Sequence, residues 1–287
     1  MEKNEITVAF DKSDDITFRD FLTVIFIGSI GAAAGNSKAL NNLLDQVHED
    51  ASLRNPKTLL GKLLHHNGDI IDTVSRGGKI FAPYLHRLYG GHDILSFWHG
   101  DNPFVLLCGQ YGIPKGIIQV VRHLVADTFS KNGCVLPGSS FLDRKTEDGT
   151  IVNLLDEWAR EMCRGKNFNV QVVYQQLFSI RMQDIGATFV SDMLLKIYEK
   201  SVAVSEKRHF SDTANSQLRI IMFFAEAVMT AGLGALISGG IPKVNIPAVS
   251  ALIFEAGHLF YINHADVKAA KKRGDELEFR FHKLEQS

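Results

Sequence analysis

The sequence predicts an all-α, mostly helical protein built as a multi-helix bundle, and three observations carry that reading. Apolar residues recur at helical spacing, as Leu40, Leu43, Leu44 and Val47 do, or Val152, Leu155 and Trp158. Helix punctuation falls where such runs begin and stop, with Pro56 and Pro114 at first turns and Gly77-Gly78 and Asn132-Gly133 at ends. Two apolar stretches stand out: Ile220–Gly240, and Phe21–Gly35, which is too short to span a bilayer comfortably and rich in the small residues that let helices approach closely.

In chain order, the first fifteen residues are polar, and Ser13, Asp14 and Asp15 are placed to cap a helix from about Ile16 into the apolar Phe21–Gly35 run. "KALNNLLDQVHEDA" predicts a second helix. "PKTLLGKLLHHNGDIIDTVSRGG" predicts a third, from Pro56 to Gly77-Gly78. Gly90-Gly91 breaks the mixed segment that follows. Pro114 then opens a helix to about Lys131. "FNVQVVYQQLFSI" suits either a helix or a strand, because of its β-branched content. An amphipathic stretch from Ser191 leads to the Ile220–Gly240 segment, and a last helix starts near Ile246 and fades into a charged tail. The polar stretch Phe141–Thr150 marks a soft boundary, dividing 1–145 from 146–287 unless the two form one continuous domain.

Composition narrows the function classes. The chain has 287 residues and a formal net charge of −1, so it lacks the basic footprint of a nucleic-acid binder. Its three cysteines form no CxxC pair, which argues against a disulfide framework or zinc ribbon and fits a reducing compartment. "MEKNEITVAFDKSDD" is acidic where a signal peptide carries basic residues. Ile220–Gly240 approaches the roughly 20 apolar residues needed to span a bilayer core, and Glu226 inside it requires a partner or a bundle interior. Against that, the mean hydropathy of zero is low for a polytopic membrane protein. Membrane association and a fully buried soluble core are both open at this point. Gly28, Gly31 and Gly35 match neither glycine-rich phosphate motif, so helix packing is the preferred reading of that run.

Histidines and carboxylates crowd one window. His65, His66, His86, His92, His99 and His123 lie there with Asp69, Asp72, Asp93, Asp101 and Asp127. Imidazole with carboxylate suits zinc and similar divalent ions. His123 and Asp127, at i and i+4, project from one helix face and can reach one ion. Periodicity alone prefers a plainer account. Lys115, Gln119, Arg122, His123 and Asp127 form a polar stripe opposite Ile117, Ile118, Val121 and Leu124, as on a solvated helix.

The stretch "RHLVADTFSKNGCVLP" resembles the signature of the LexA-regulated, membrane-bound metal-dependent hydrolase family. Its His, Asp, Ser and Gly positions fall on His123, Asp127, Ser130 and Gly133, with Leu136 and Pro137 a looser match to its ending. Upstream, "HRLYGGHDILSF" carries His86, Arg87 and His92 in the family's order, though one residue more separates the two histidines, and "GDIID" stands where the family has an acidic motif. The similarity covers about residues 65–138.

The resemblance implies a divalent metal site, with zinc the expected ion, ligated by His86, His92, His123, Asp127 and Asp72. It implies that His123 and Asp127 supply one wall from a rigid helix, and that Arg87 or Arg122 neutralises an anionic substrate. The implied reaction is hydrolysis of an ester or phosphoester by a metal-activated water, at a membrane and on its cytoplasmic side, with lipid or a small ester as partner. The alternatives are a non-catalytic helical protein that binds a membrane or a partner and keeps the motif for structure, and a cytoplasmic helical scaffold. His258, His264 and Asp266 are read as surface groups near the end of the last helix.

Overall fold

The computed structural model of the chain describes residues 16–53, 55–65, 108–136, 142–149 and 151–285. The protein is all-α, and among the described residues two short antiparallel ladders join the helices. Helix α1 spans Phe18–Gly35, α2 Lys38–Ser52, α3 Leu59–Leu64 and α4 Ile113–Thr128. Strands β1 (Cys134–Val135), β2 (Asp143–Lys145) and β3 (Ile151–Asn153) follow, then α5 (Leu154–Cys163), α6 (Val170–Phe178) and β4 (Ser179–Ile180). The chain closes with α7 (Met182–Ser205), α8 (Asp212–Ser238) and α9 (Ile246–Glu285). β1 pairs with β4, and β2 with β3.

Several boundaries differ from the sequence reading. Thr17 caps α1: its hydroxyl accepts from Asp20 N at 3.2 Å, while Asp20 Oδ2 accepts from Thr17 N at 2.7 Å. α3 begins at Leu59 because Thr58 is its cap, accepting from Gly61 N at 2.9 Å, and Asp50 in turn accepts from the amides of Lys57 and Thr58. The ambiguous Phe168–Ile180 stretch resolves into α6 followed by β4. α7 starts at Met182, upstream of the segment read as amphipathic.

Helix α1 sits against both α7 and α8. Along it, Asp20 meets Tyr198 and Arg208, Gly31 meets Ala187, and Gly35 meets Gln183, so α1 runs antiparallel to α7. Gly28 lies directly on the backbone of Met222 and Glu226, so α1 and α8 run parallel in near backbone contact. Any side chain at Gly28 would collide with that backbone, which is why small residues occupy this seam. Their packing role is as the sequence suggested. α9 folds back antiparallel on α8, with Glu255 beside Ser216 and Arg219.

The bundle buries an apolar cluster of Val24, Ile27, Leu195, Leu218, Met222 and Phe223 together with polar groups, and it leaves apolar stripes outside. Phe18, Leu22, Phe26 and Ile30 form an exposed stripe on α1, as Phe189, Met193 and Ile197 do on α7, and Phe224 and Val228 on α8. Asp20, Gln183, Asp184, Ser191, Glu226, Thr230 and Asn245 are buried. Contiguous apolar stripes of this kind are disfavoured in water and favoured against hydrocarbon. Helices α1, α8 and α9 are long and apolar enough to cross a membrane. At 1.5 Å per residue the 18 residues of α1 reach about 27 Å, near the roughly 30 Å of a bilayer core. This is the organisation of a membrane-associated helical bundle.

Helices α2, α3 and α4 form a second packing unit around Leu44, Ala51, Leu64, Ala126 and Phe129, joined to α7 through Met182. Helices α5 and α6 pack through Leu155, Ala159, Val173 and Tyr174.

Candidate functional site

Helix α4 carries His123 and Asp127, and its end is built by the motif itself. Ser130 Oγ donates to the Asp127 carbonyl at 2.8 Å and accepts from Gly133 N at 3.0 Å. Gly133 has φ of 73°, and a Cβ there would strike the Ile180 carbonyl, so only glycine lets β1 lie on β4. These contacts end the helix at Thr128, ahead of Lys131.

The face of α4 that turns inward is not the one periodicity favoured. Gly116, Val120, His123 and Ala126 are buried, while Ile113, Ile117, Ile118 and Val121 are exposed. The solvated-stripe reading of His123 is therefore corrected: its side chain is only 5% exposed, and that of Asp127 only 17%. The cause lies in the packing partners. α2 and α3 meet α4 through its small residues, and His48 Nδ1 lies 2.8 Å from the Ala126 carbonyl.

His123 Nε2 and Asp127 Oδ2 are 3.4 Å apart. Burial pushes the Asp127 carboxyl up to about 7. Burial, with the Asp127 charge adding to it, pushes the Cys134 thiol up to about 12. The pair offers an imidazole and a carboxylate from one face, shielded from bulk water, a donor chemistry that fits zinc. Among the described residues no group of three or more His, Cys, Asp or Glu is placed to hold a metal ion. His86, Arg87, His92 and Asp72 lie outside the described residues.

The other histidines have local partners. His65 Nδ1 lies 3.2 Å from the Ala51 carbonyl. His258 Nδ1 lies 3.1 Å from Ser216 Oγ, and His264 stacks on Phe260. α9 continues to Glu285, so His258 and His264 fall well inside it, and the expectation that they lie near its end is corrected.

A second polar centre joins α7, α8 and the segment leading into α9. Asp184 Oδ1 lies 2.6 Å from Lys243 Nζ, and Oδ2 lies 3.6 Å from Arg181 Nη1. Glu226 Oε1 accepts from Asn245 Nδ2 at 2.7 Å and lies 2.8 Å from Thr188 Oγ1. Asn245 Oδ1 accepts from Ala248 N at 3.0 Å, tying Glu226 to the first turn of α9. Glu226 thus has the bundle-interior partners its sequence position required. Arg181 and Asp184 share one short stretch, but they escaped sequence reasoning because only the fold brings Lys243 to them.

Compared with family models, with curated proteins and with solved structures, the chain matches none.

Proposed function

We propose that this protein is a membrane-associated, metal-dependent hydrolase acting on an ester or phosphoester, as its resemblance to the LexA-regulated, membrane-bound hydrolases implies. The observation that carries the reading is the burial of His123 and Asp127 together on the inward face of α4, while that helix leaves its isoleucines outside. A carboxyl withdrawn from water, with an imidazole one turn away, is a poor surface pair and a good half of a metal site. The resemblance assigns His86, His92 and Asp72 as further ligands and Arg87 as the group that neutralises an anionic substrate. A divalent ion there, zinc by its donor chemistry, would lower the pKa of a coordinated water to about 7. The role of α4 is to hold His123 and Asp127 at fixed separation and to exclude bulk water from them. Three free cysteines are consistent with a site on the cytoplasmic, reducing side of the membrane.

The test is elemental analysis of the full chain purified in detergent without chelators, alongside His123→Ala and Asp127→Ala. The expected outcome is near-stoichiometric zinc or a related ion in the wild type and its loss in both variants. A second reading draws on Ser130 and Gly133, which serve as the terminator of α4: the motif is then structural, in a non-catalytic helical protein that binds a membrane or a partner. Metal-free wild type whose melting curve ignores added zinc selects that reading over the hydrolase.

A further inference from the structure

A cleft of about 540 Å³ opens where α1 ends, α2 and α7 begin and α8 ends. It shares no residue with the His123–Asp127 pair. The first turn of α2 forms one wall through Lys38, Asn41 and Asn42. The Ser37 side chain makes no capping hydrogen bond at that end of the 15-residue helix, so its first-turn amides lack a side-chain acceptor beside the cleft.

Independent of that helix end, Arg181 lies beneath the opening. It is 3% exposed, its Nη2 donates to the Gln175 carbonyl, and its Nη1 finds no hydrogen-bond acceptor among the described residues. At 3.6 Å the Asp184 contact of Nη1 is an ion pair but too long for a hydrogen bond. Asp184 thus serves Nη1 only at ion-pair distance while also holding Lys243 at 2.6 Å, so one carboxylate faces two buried cations. Lys243 lines the same cleft, seated there because Gly234 leaves room for its backbone. Burial lowers the proton affinity of both cations, as expected of positive charge with incomplete compensation. Lys38 and Lys131 add positive charge at the rim, against Asp45 in the lining and Asp184 behind it. The balance is cationic.

We propose that this cleft binds a phosphate monoester, carried on a lipid headgroup or free in solution. Helix amides and a forked guanidinium match phosphate oxygens in geometry as well as charge. Ile237, 71% exposed on the last turn of α8, stands at the edge of the cleft, so apolar surface adjoins the phosphate position.

The experiment uses the full chain in zwitterionic detergent micelles. A short-chain phosphatidic acid, inorganic phosphate and a short-chain phosphatidylcholine are titrated separately, with binding followed by calorimetry. Saturable binding of phosphatidic acid, absent for the choline lipid, is the expected result. Competition by inorganic phosphate would mean that the phosphate alone suffices. Failure of phosphate to compete would assign the site to lipid, and binding of phosphate alone would assign it to a soluble ligand. Lys38→Glu and Lys131→Glu, both at exposed positions, are expected to weaken binding about tenfold each while leaving the unliganded melting temperature unchanged. Arg181→Gln should abolish binding, and the rim variants keep the test decisive if that buried substitution prevents folding. Binding of neither anion, or equal binding by wild type and both charge reversals, would overturn the proposal. Zinc content plays no part in the readout, so failure here is distinct from failure of the hydrolase reading.

Discussion

Asp20 and Asp127 are both carboxylates withdrawn from water, yet the protein treats them differently. Asp20, at the start of α1, receives both arms of the Arg208 guanidinium at 2.8 Å, the Tyr198 hydroxyl, and the amide and hydroxyl of Thr17 at 2.7 Å each. Asp127 has an imidazole at 3.4 Å, and no Lys or Arg among the described residues forms an ion pair with it. Asp184 stands with Asp20, since Lys243 and Arg181 flank it. A buried carboxyl takes its countercharge from its own chain, keeps its proton, or takes a cation from outside. Asp20 and Asp184 are compensated by their own chain on that criterion, whereas Asp127 has only an imidazole in ion-pair reach among the described residues, as the proposed metal site requires.

The largest expected effect comes from taking the countercharge away from Asp20. Arg208→Ala strands a fully buried carboxylate, and breaking such a pair costs about 3–5 kcal/mol. The Arg208 side chain is 22% exposed, so water softens the loss and about 3 kcal/mol is expected by denaturant titration in micelles. A cost below about 1 kcal/mol would mean that Tyr198 and Thr17 satisfy Asp20 without the arginine.

Asp127→Asn should act in the opposite direction. Its carboxyl rises from 3.8 in the unfolded chain to about 7 in the folded one. Between those values the unfolded state is ionised while the native state still holds the proton. Stability from this group is therefore complete below the lower value and is lost as pH climbs to the upper one. In metal-free protein at pH 8, Asp127→Asn should stabilise by about 2 kcal/mol, short of the full shift because some solvent reaches the group. At pH 4 the variant and wild type should melt alike. Added zinc should reverse the order at pH 8, because a cation stabilises the carboxylate that the amide cannot supply. An Asp127→Asn effect that ignores pH would show that the carboxyl is already compensated, and the contrast with Asp20 would fail.

These contrasts also mark what the sequence could convey. Helix positions came through well, since Ile246 does open α9 and Pro114 lies in the first turn of α4. The demand of Glu226 for interior partners was readable because one carboxylate in an apolar run has few options. The facing of α4 was misread for a physical reason. Periodicity sorts residues into two faces, but the rule that the apolar face is buried presumes water outside and a greasy interior. Here Gly116, Val120, His123 and Ala126 turn inward while Ile113, Ile117, Ile118 and Val121 remain outside. Contacts such as Asp20–Arg208 and Asp184–Lys243 were invisible, because no local pattern signals a pairing between distant helices.

The smallest effect probes whether the donors around Asp20 act as a unit. Thr17→Ala removes the α1 cap and one of the hydrogen bonds to Asp20 Oδ2, leaving Arg208 and Tyr198 in place. Loss of a threonine cap costs about 1 kcal/mol, and with the guanidinium still present nothing more is expected. In the Arg208→Ala background the same substitution should cost more, since the stranded carboxylate then relies on the Thr17 hydroxyl. A double-mutant cycle measured by denaturation reads this directly, with a coupling of about 1 kcal/mol expected between groups that share one acceptor. Strict additivity would instead mean that each donor meets Asp20 independently. Asp20 would then be held by a set of separate contacts, and its difference from Asp127 would be one of number rather than kind.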